Sequence, residues 1–261
     1  MTDSPLESVR VGAVRLEIAW HGPRDNAGPV IVMLHEGLGC VSMWHDLPAR
    51  LAEATGLQVL VYSRAGYGGS DPVSLPRPLT YMQDEARESL PRLLEATGID
   101  DAILFGHSDG ASIAIVFAGG SPKVRVRGLV LEAPHVFCED VSITSIAAAR
   151  ESFHHGDLRA RLARHHGDNT DSAFCGWNDA WLDPGFRAWN IEAFLPRLRA
   201  PSLVIQSASD PYGTLAQVVA IERGSGGAVR RELIGVGHSP HRDEPEAFIA
   251  AVTDFTTSCG G

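Results

Sequence analysis

Apolar runs alternate with helically periodic stretches along most of this chain. Residues 30–34 (VIVML), 58–62 (QVLVY), 101–105, 126–131, 202–206 and 229–234 read as strands. The most continuous of these runs suit strands buried on both faces. Residues 9–20 are β-rich and suit an opening antiparallel pair around Gly12-Ala13, followed by a Gly/Pro/Asp/Asn turn cluster over 21–29. Between the strands, helical patterns are predicted up to about residue 54, over 80–97, over 111–118, after Tyr212 and over 244–253. Thr80 is a candidate N-cap and Gly98 a stop for the second of these, and Pro91 inside it predicts a kink or a late start. Strands alternating with helices imply βαβ units and a mostly parallel sheet.

From 137 to 199 the alternation stops. The stretch is helical in pattern, holds no convincing strand and is rich in Trp, His and Ala. Trp177, Trp181 and Trp189, with Phe153, Phe174, Phe186 and Phe194, give it apolar surface of its own. It reads as a helical cap inserted between two parts of one α/β core, residues 1–136 and 200–261.

Composition narrows the function. A net charge of −10 argues against a nucleic-acid surface and against anionic membranes. No window of about 18 apolar residues occurs, so no transmembrane helix is expected. The first eight residues lack a basic and an apolar segment, so no secretory signal is expected. Cys40, Cys138, Cys175 and Cys259 show no C-x-x-C or metal-ligand spacing, and free thiols in a reducing cytoplasm are expected. The pairs His154-His155 and His165-His166, each followed by Gly-Asp, suit the C-terminal ends of two helices better than a metal site.

The candidate chemistry centres on Gly106-His107-Ser108-Asp109-Gly110, a G-x-S-x-G string between a predicted strand and a predicted helix. That context makes a tight turn that lifts the Ser108 hydroxyl clear at the carboxyl end of the sheet. Two other loops follow strands and belong on the same rim: His35-Glu36-Gly37-Leu38-Gly39 and the Gly-rich 64–71. Ser209-Asp210 and Gly237-His238 also follow strands.

With these motifs the chain resembles the α/β-hydrolase superfamily over nearly its whole length, closest to its small, capped esterase and C–C hydrolase branch. The resemblance implies an α/β-hydrolase fold and a Ser108–His238–Asp210 triad, with Glu132 as an alternative acid. It implies an oxyanion hole from the backbone amides of Gly37 and Asp109. Glu36 stands where the family commonly has glycine, and it is expected to turn away and hydrogen-bond within its loop. Leu38, Trp44, Tyr67, Trp177, Trp181 and Tyr212 are candidate pocket residues. Arg64 is read as a loop brace, His241 as structural and Cys40 as packing.

The expected activity is serine hydrolysis of a small, fairly apolar substrate, most simply a carboxylic ester. C–C bond or lactone hydrolysis on the same fold is the alternative, and a ligand-binding protein with vestigial turnover is the alternative from another class. Serine at position 108 disfavours epoxide and haloalkane chemistry, which need a carboxylate nucleophile. A small-molecule substrate is the expected partner, with no cofactor, metal, nucleic acid or membrane, and a homodimer is left open.

Overall fold

The computed structural model describes residues 6–23 and 28–259. The start of the N-terminal segment and the middle of the 21–29 turn cluster lie outside the described residues.

Eight strands form one sheet: β1 (Glu7–Val11), β2 (Val14–His21), β3 (Val30–Leu34), β4 (Val59–Tyr62), β5 (Asp101–His107), β6 (Arg125–Glu132), β7 (Ser202–Gln206) and β8 (Val229–Leu233). Their order is β1-β2-β4-β3-β5-β6-β7-β8. The first two pairings, β1 with β2 and β2 with β4, are antiparallel, and all others are parallel. The opening hairpin turns at Gly12-Ala13, where Gly12 has φ +63°, a conformation that a residue with a Cβ resists. β8 closes the other edge and differs from the apolar inner strands. Arg230, Arg231 and Glu232 occupy its middle, which discourages edge-to-edge pairing.

Helices cover both faces. Helix α1 (Leu47–Thr55) packs on one of them. Helices α2 (Tyr81–Asp84), α3 (Leu90–Thr97) and α4 (Asp109–Gly119) pack on the other. Between α2 and α3 the chain widens into a π turn over Glu85–Ser89. Pro91 in the first turn of α3 is the reason, since it cannot donate to the carbonyl four residues back and its ring crowds the preceding turn. The predicted kink takes the form of this register change, with helical dihedrals at both of its junctions.

Between β6 and β7 lie α5 (Asp140–His155), α6 (Leu158–His166) and α7 (Thr170–Leu182), followed by short 3-10 turns. The one β-bridge here joins Phe137 to Asn190. Aromatic stacking holds this segment together: Phe153 lies on Phe174 at 3.7 Å, and Phe186 lies on Trp189 at 5.3 Å. Such pairs add about 1 kcal/mol each beyond simple burial. After β7 come α8 (Leu215–Gly224), α9 (Pro240–Asp243) and α10 (Pro245–Cys259), and α10 joins α1 on its face of the sheet. His241 thus sits in a short helix of its own ahead of the closing one. No helix among the described residues is long and apolar enough to cross a membrane. The four cysteines form no disulfide.

Candidate active site

The turn after β5 is sterically closed. Ser108 has φ +54°, a conformation costly for a residue with a Cβ. A Cβ on Gly106 would lie 2.3 Å from the Gly110 carbonyl oxygen, and one on Gly110 would lie 2.0 Å from that of Leu34. Only glycine fits either position. The Ser108 amide donates to the Glu132 carbonyl at 2.8 Å, which pins the turn to the neighbouring strand end. Asp109 opens α4, so its amide has no acceptor within the helix. Neither that amide nor the Gly37 amide makes a hydrogen bond among the described residues.

Three loops converge on Ser108. Its Oγ lies 2.9 Å from Nε2 of His238, and Nδ1 of His238 lies 2.9 and 2.8 Å from the two Asp210 carboxylate oxygens. With Nδ1 donating to Asp210, Nε2 is left as the acceptor for the serine proton. The Tyr212 amide and the Gln206 side chain also donate to Asp210, each at 2.8 Å. Burial penalises the Asp210 charge. The hydrogen bond and charge of His238 and the Tyr212 amide outweigh that and hold the carboxyl below its ordinary value. Glu132, the other candidate acid, accepts from the backbone and Nδ1 of His241 at 3.0 and 2.8 Å and does not meet His238.

A cavity of about 420 Å³ opens above Ser108, a volume suited to a small molecule. Leu38, Trp177, Trp181 and Tyr212 line it as expected. Trp44 and Tyr67 do not. Trp44 is buried against Phe105 and His241, on the face of the sheet that carries α1. Tyr67 is buried between the Arg64 and Arg77 guanidinium groups, each 4.9 Å from its ring. Arg64 donates to the carbonyls of His35 and Glu36 at 2.6 and 3.0 Å, bracing that loop from behind. Trp177 closes directly on Gly37, where a Cβ would lie 2.2 Å from the indole nitrogen.

Residues 31–251 match the model of the Alpha/beta hydrolase family. The chain belongs to that family. It is 30% identical to a zearalenone hydrolase of Cladophialophora bantiana over 121 residues, which is 45% of this chain and 44% of that protein. The match thus spans less than half of that relative's length. An sn-1-specific diacylglycerol lipase ABHD11 of Xenopus tropicalis is 24% identical over 257 residues, 88% of this chain and 79% of that one. Among solved structures, VinJ superposes with a TM-score of 0.72 at 26% identity, over 98% of this chain and 99% of that one.

Several residues of this alpha/beta hydrolase reach the site without a signal in its pattern. His135 lines the cavity with its ring 5.8 Å from that of His238. Burial and the His238 charge lower its pKa to about 3, so it is neutral. Its position just past β6 was the available clue. Glu36 does not bond within its loop as expected. Its carboxylate points towards His107, 3.7 Å from Nδ1, an ion pair too long to be a hydrogen bond. His107 Nε2 donates to the His238 carbonyl at 2.7 Å. Burial opposes a charge on His107, but Glu132, Glu36 and the His238 carbonyl outweigh it and raise its pKa to about 9. The residue before Ser108 thus ties the Glu36 loop to the His238 loop as an imidazolium.

His107, Glu132 and His241 also place donor atoms within 4.8 Å of one another, the one such group among the described residues. An imidazolium has no lone pair for a cation, and Glu132 already accepts two hydrogen bonds from His241. The group fits an ion-paired network better than a metal centre. His166 ends α6, as its pattern predicts, and it has a further part there. It is a latch: its Nε2 donates to the Leu38 carbonyl at 2.9 Å and its Nδ1 accepts from the Gly68 amide at 3.0 Å.

Proposed function

We propose that this alpha/beta hydrolase is a serine hydrolase of a small carboxylic ester with a largely apolar body. The observation that carries the reading is the unbroken hydrogen-bonded line from Ser108 through His238 to Asp210, in a turn strained to present the serine. His238 takes the Ser108 proton as Oγ attacks the ester carbonyl. Negative charge developing on the carbonyl oxygen is met by the unpaired amides of Gly37 and Asp109, a contribution of about 3 kcal/mol per donor in comparable sites. His238 then gives its proton to the departing alcohol as the C–O bond breaks, leaving Ser108 acylated. Water, deprotonated by His238, attacks the acyl carbon and releases the acid and free Ser108.

Residues 137–199 act as a cap in this reading, because α5, α6 and α7 supply the cavity wall opposite Ser108. Ile146, Leu158 and Leu162, with Trp177 and Trp181, favour an apolar substrate body and exclude bulk water. A lipase among the relatives supports ester chemistry, and the Ser108–His238 bond favours turnover over ligand binding alone. Lactone opening needs the same steps with the leaving alcohol still tethered. The test is a panel of simple esters, lactones and diketones with wild type and Ser108→Ala. Ester turnover that falls by about a thousand-fold or more in Ser108→Ala is expected. Near-wild-type ester turnover by Ser108→Ala would overturn the reading.

A further inference from the structure

Charge is distributed unevenly between this chain and its cavity. The protein carries 32 acidic against 22 basic residues. Yet the exposed lining of the Ser108 cavity includes Arg161, Arg164 and Arg242, with His45 and His165 beside them. The two carboxylates in the lining, Glu36 and Asp109, are both engaged. Glu36 faces His107, and Asp109 accepts from the Tyr81 hydroxyl and from Trp181 Nε1.

The rim arginines have little to neutralise them. Arg161 meets Asp157 one turn away at 3.6 Å, an exposed pair on the helix surface. Arg242 donates to the uncharged Met43 carbonyl at 2.8 Å, and the Glu36 carboxylate whose charge it feels is already turned to His107. The Arg164 side chain makes no hydrogen bond or ion pair among the described residues. Elsewhere in the same helical segment, Arg150, Arg159 and Arg187 each face an aspartate. Arg161 and Arg164 are three apart on α6 and so lie on one face, next to His165. The field there is felt: burial, with the charges of His45, Arg164 and Arg242, lowers the His165 pKa below its ordinary value. Beneath the rim the wall is apolar, through Leu38, Ile146, Leu158 and Leu162. Low-dielectric walls focus such a field into the cleft and raise the local concentration of anions.

Building on the serine-hydrolase reading, we infer that the substrate carries an anionic group, a carboxylate or a phosphate, which the Arg161–Arg164–Arg242 rim holds while its apolar body lies against Ser108. The guanidinium groups suit either anion, since both accept paired N–H donors. The rim also offsets the repulsion that a chain of net charge −10 exerts on an approaching anion.

The test compares 4-nitrophenyl esters whose acyl chains, roughly four to eight carbons long, end in a carboxylate, a phosphonate or a methyl group. An acetate ester of hydroxybenzoate against phenyl acetate places the anion on the leaving group instead. At low salt, kcat/KM is expected to favour an anionic ester over its matched neutral one by about ten-fold or more. That preference should shrink in high salt, and the stronger of the two anionic acyl series identifies carboxylate or phosphate. Arg164→Glu and, separately, Arg242→Glu should lower the anionic-to-neutral ratio below that of wild type. The salt dependence needs no variant and stands if either variant fails to fold.

A wild type that hydrolyses the neutral esters without favouring any anionic one overturns the inference and leaves the serine-hydrolase reading intact. If no ester is turned over, the rate of Ser108 labelling by a fluorophosphonate separates the two. Labelling slowed by suberate or an alkyl phosphate but not by a matched alcohol supports the anionic rim. Labelling slowed by none of these overturns it, and no labelling at all overturns both.

Discussion

Below the Ser108 cavity, the groups that meet are held by short, local structure at strand ends. Above it, they are held by side chains reaching across from helices. The floor is made of the Gly37–Leu38 loop after β3, the Gly68 loop after β4, the turn after β5, the Asp210 loop after β7 and the His238 loop after β8. Each follows a strand, and the strands fix their spacing. The roof is α5, α6 and α7, which reach the floor through side-chain contacts. Ser142 and Ser145 of α5 donate to the carbonyls of Tyr212 and Pro211. His166, ending α6, grips Leu38 and Gly68, and Trp177 of α7 rests on Gly37. In the proposed function, chemistry belongs to the floor and substrate selection to the roof. That division lets one floor serve many substrates by changing the roof.

Damage to the floor should have the largest effect. Ser108→Ala and His238→Ala are each expected to lower kcat/KM by about three orders of magnitude or more, and the double variant by little more than either, because the pair acts as one unit. Steady-state kinetics on the three variants checks this. Additive losses would mean that the two side chains work independently.

The contact where roof meets floor comes next. Gly37→Ala would drive a Cβ into the Trp177 indole, displacing either the indole or the Gly37 amide. A loss of about ten- to a hundred-fold in kcat/KM is expected. The double variant Gly37→Ala/Trp177→Ala should recover part of it by removing the clash. A double variant slower than the product of the two single effects would contradict this packing.

A smaller effect concerns the imidazolium within the floor. His107 holds its proton more tightly in the folded chain, to about 9, than in the unfolded one, near 6.5. Its contribution to stability is therefore complete below about 6.5 and is lost as the pH rises through about 9. Burial lowers this value, and Glu132, Glu36 and the His238 carbonyl outweigh it, while the His241 ring meets His107 edge-on. The melting temperature of wild type should fall by roughly 5 °C between pH 7 and 9.5, and by less in His107→Gln. Equal slopes in the two proteins would show that His107 does not carry the dependence. Least of all, His166→Ala removes two hydrogen bonds between roof and floor and should cost about 1–2 kcal/mol, read by denaturant unfolding.

The same division explains what could be read from the sequence. The strand order of the motifs and the G-x-S-x-G turn were readable because close packing leaves glycine as the one solution at 106 and 110. The choice between Asp210 and Glu132 was harder. Glu132 ends a strand and Asp210 follows one, and only the three-dimensional pairing of Glu132 with His241 separates them. Trp44 and Tyr67 were misplaced because an aromatic residue after a loop gives no sign of the face towards which it turns. Glu36 was misread for a similar reason, since its partner His107 lies on another strand. The rim escaped notice because the α6 sequence, LRARLARHH, has the form of an ordinary solvated helix. Its meaning depends on which cavity that helix overlooks.

The central claim is an activated Ser108, and intact-mass analysis after treatment with a small fluorophosphonate tests it most directly. Wild type should gain one adduct, Ser108→Ala none, and Asp210→Asn should react far more slowly than wild type. Wild type that stays unmodified, or Ser108→Ala that is modified equally well, would contradict the claim.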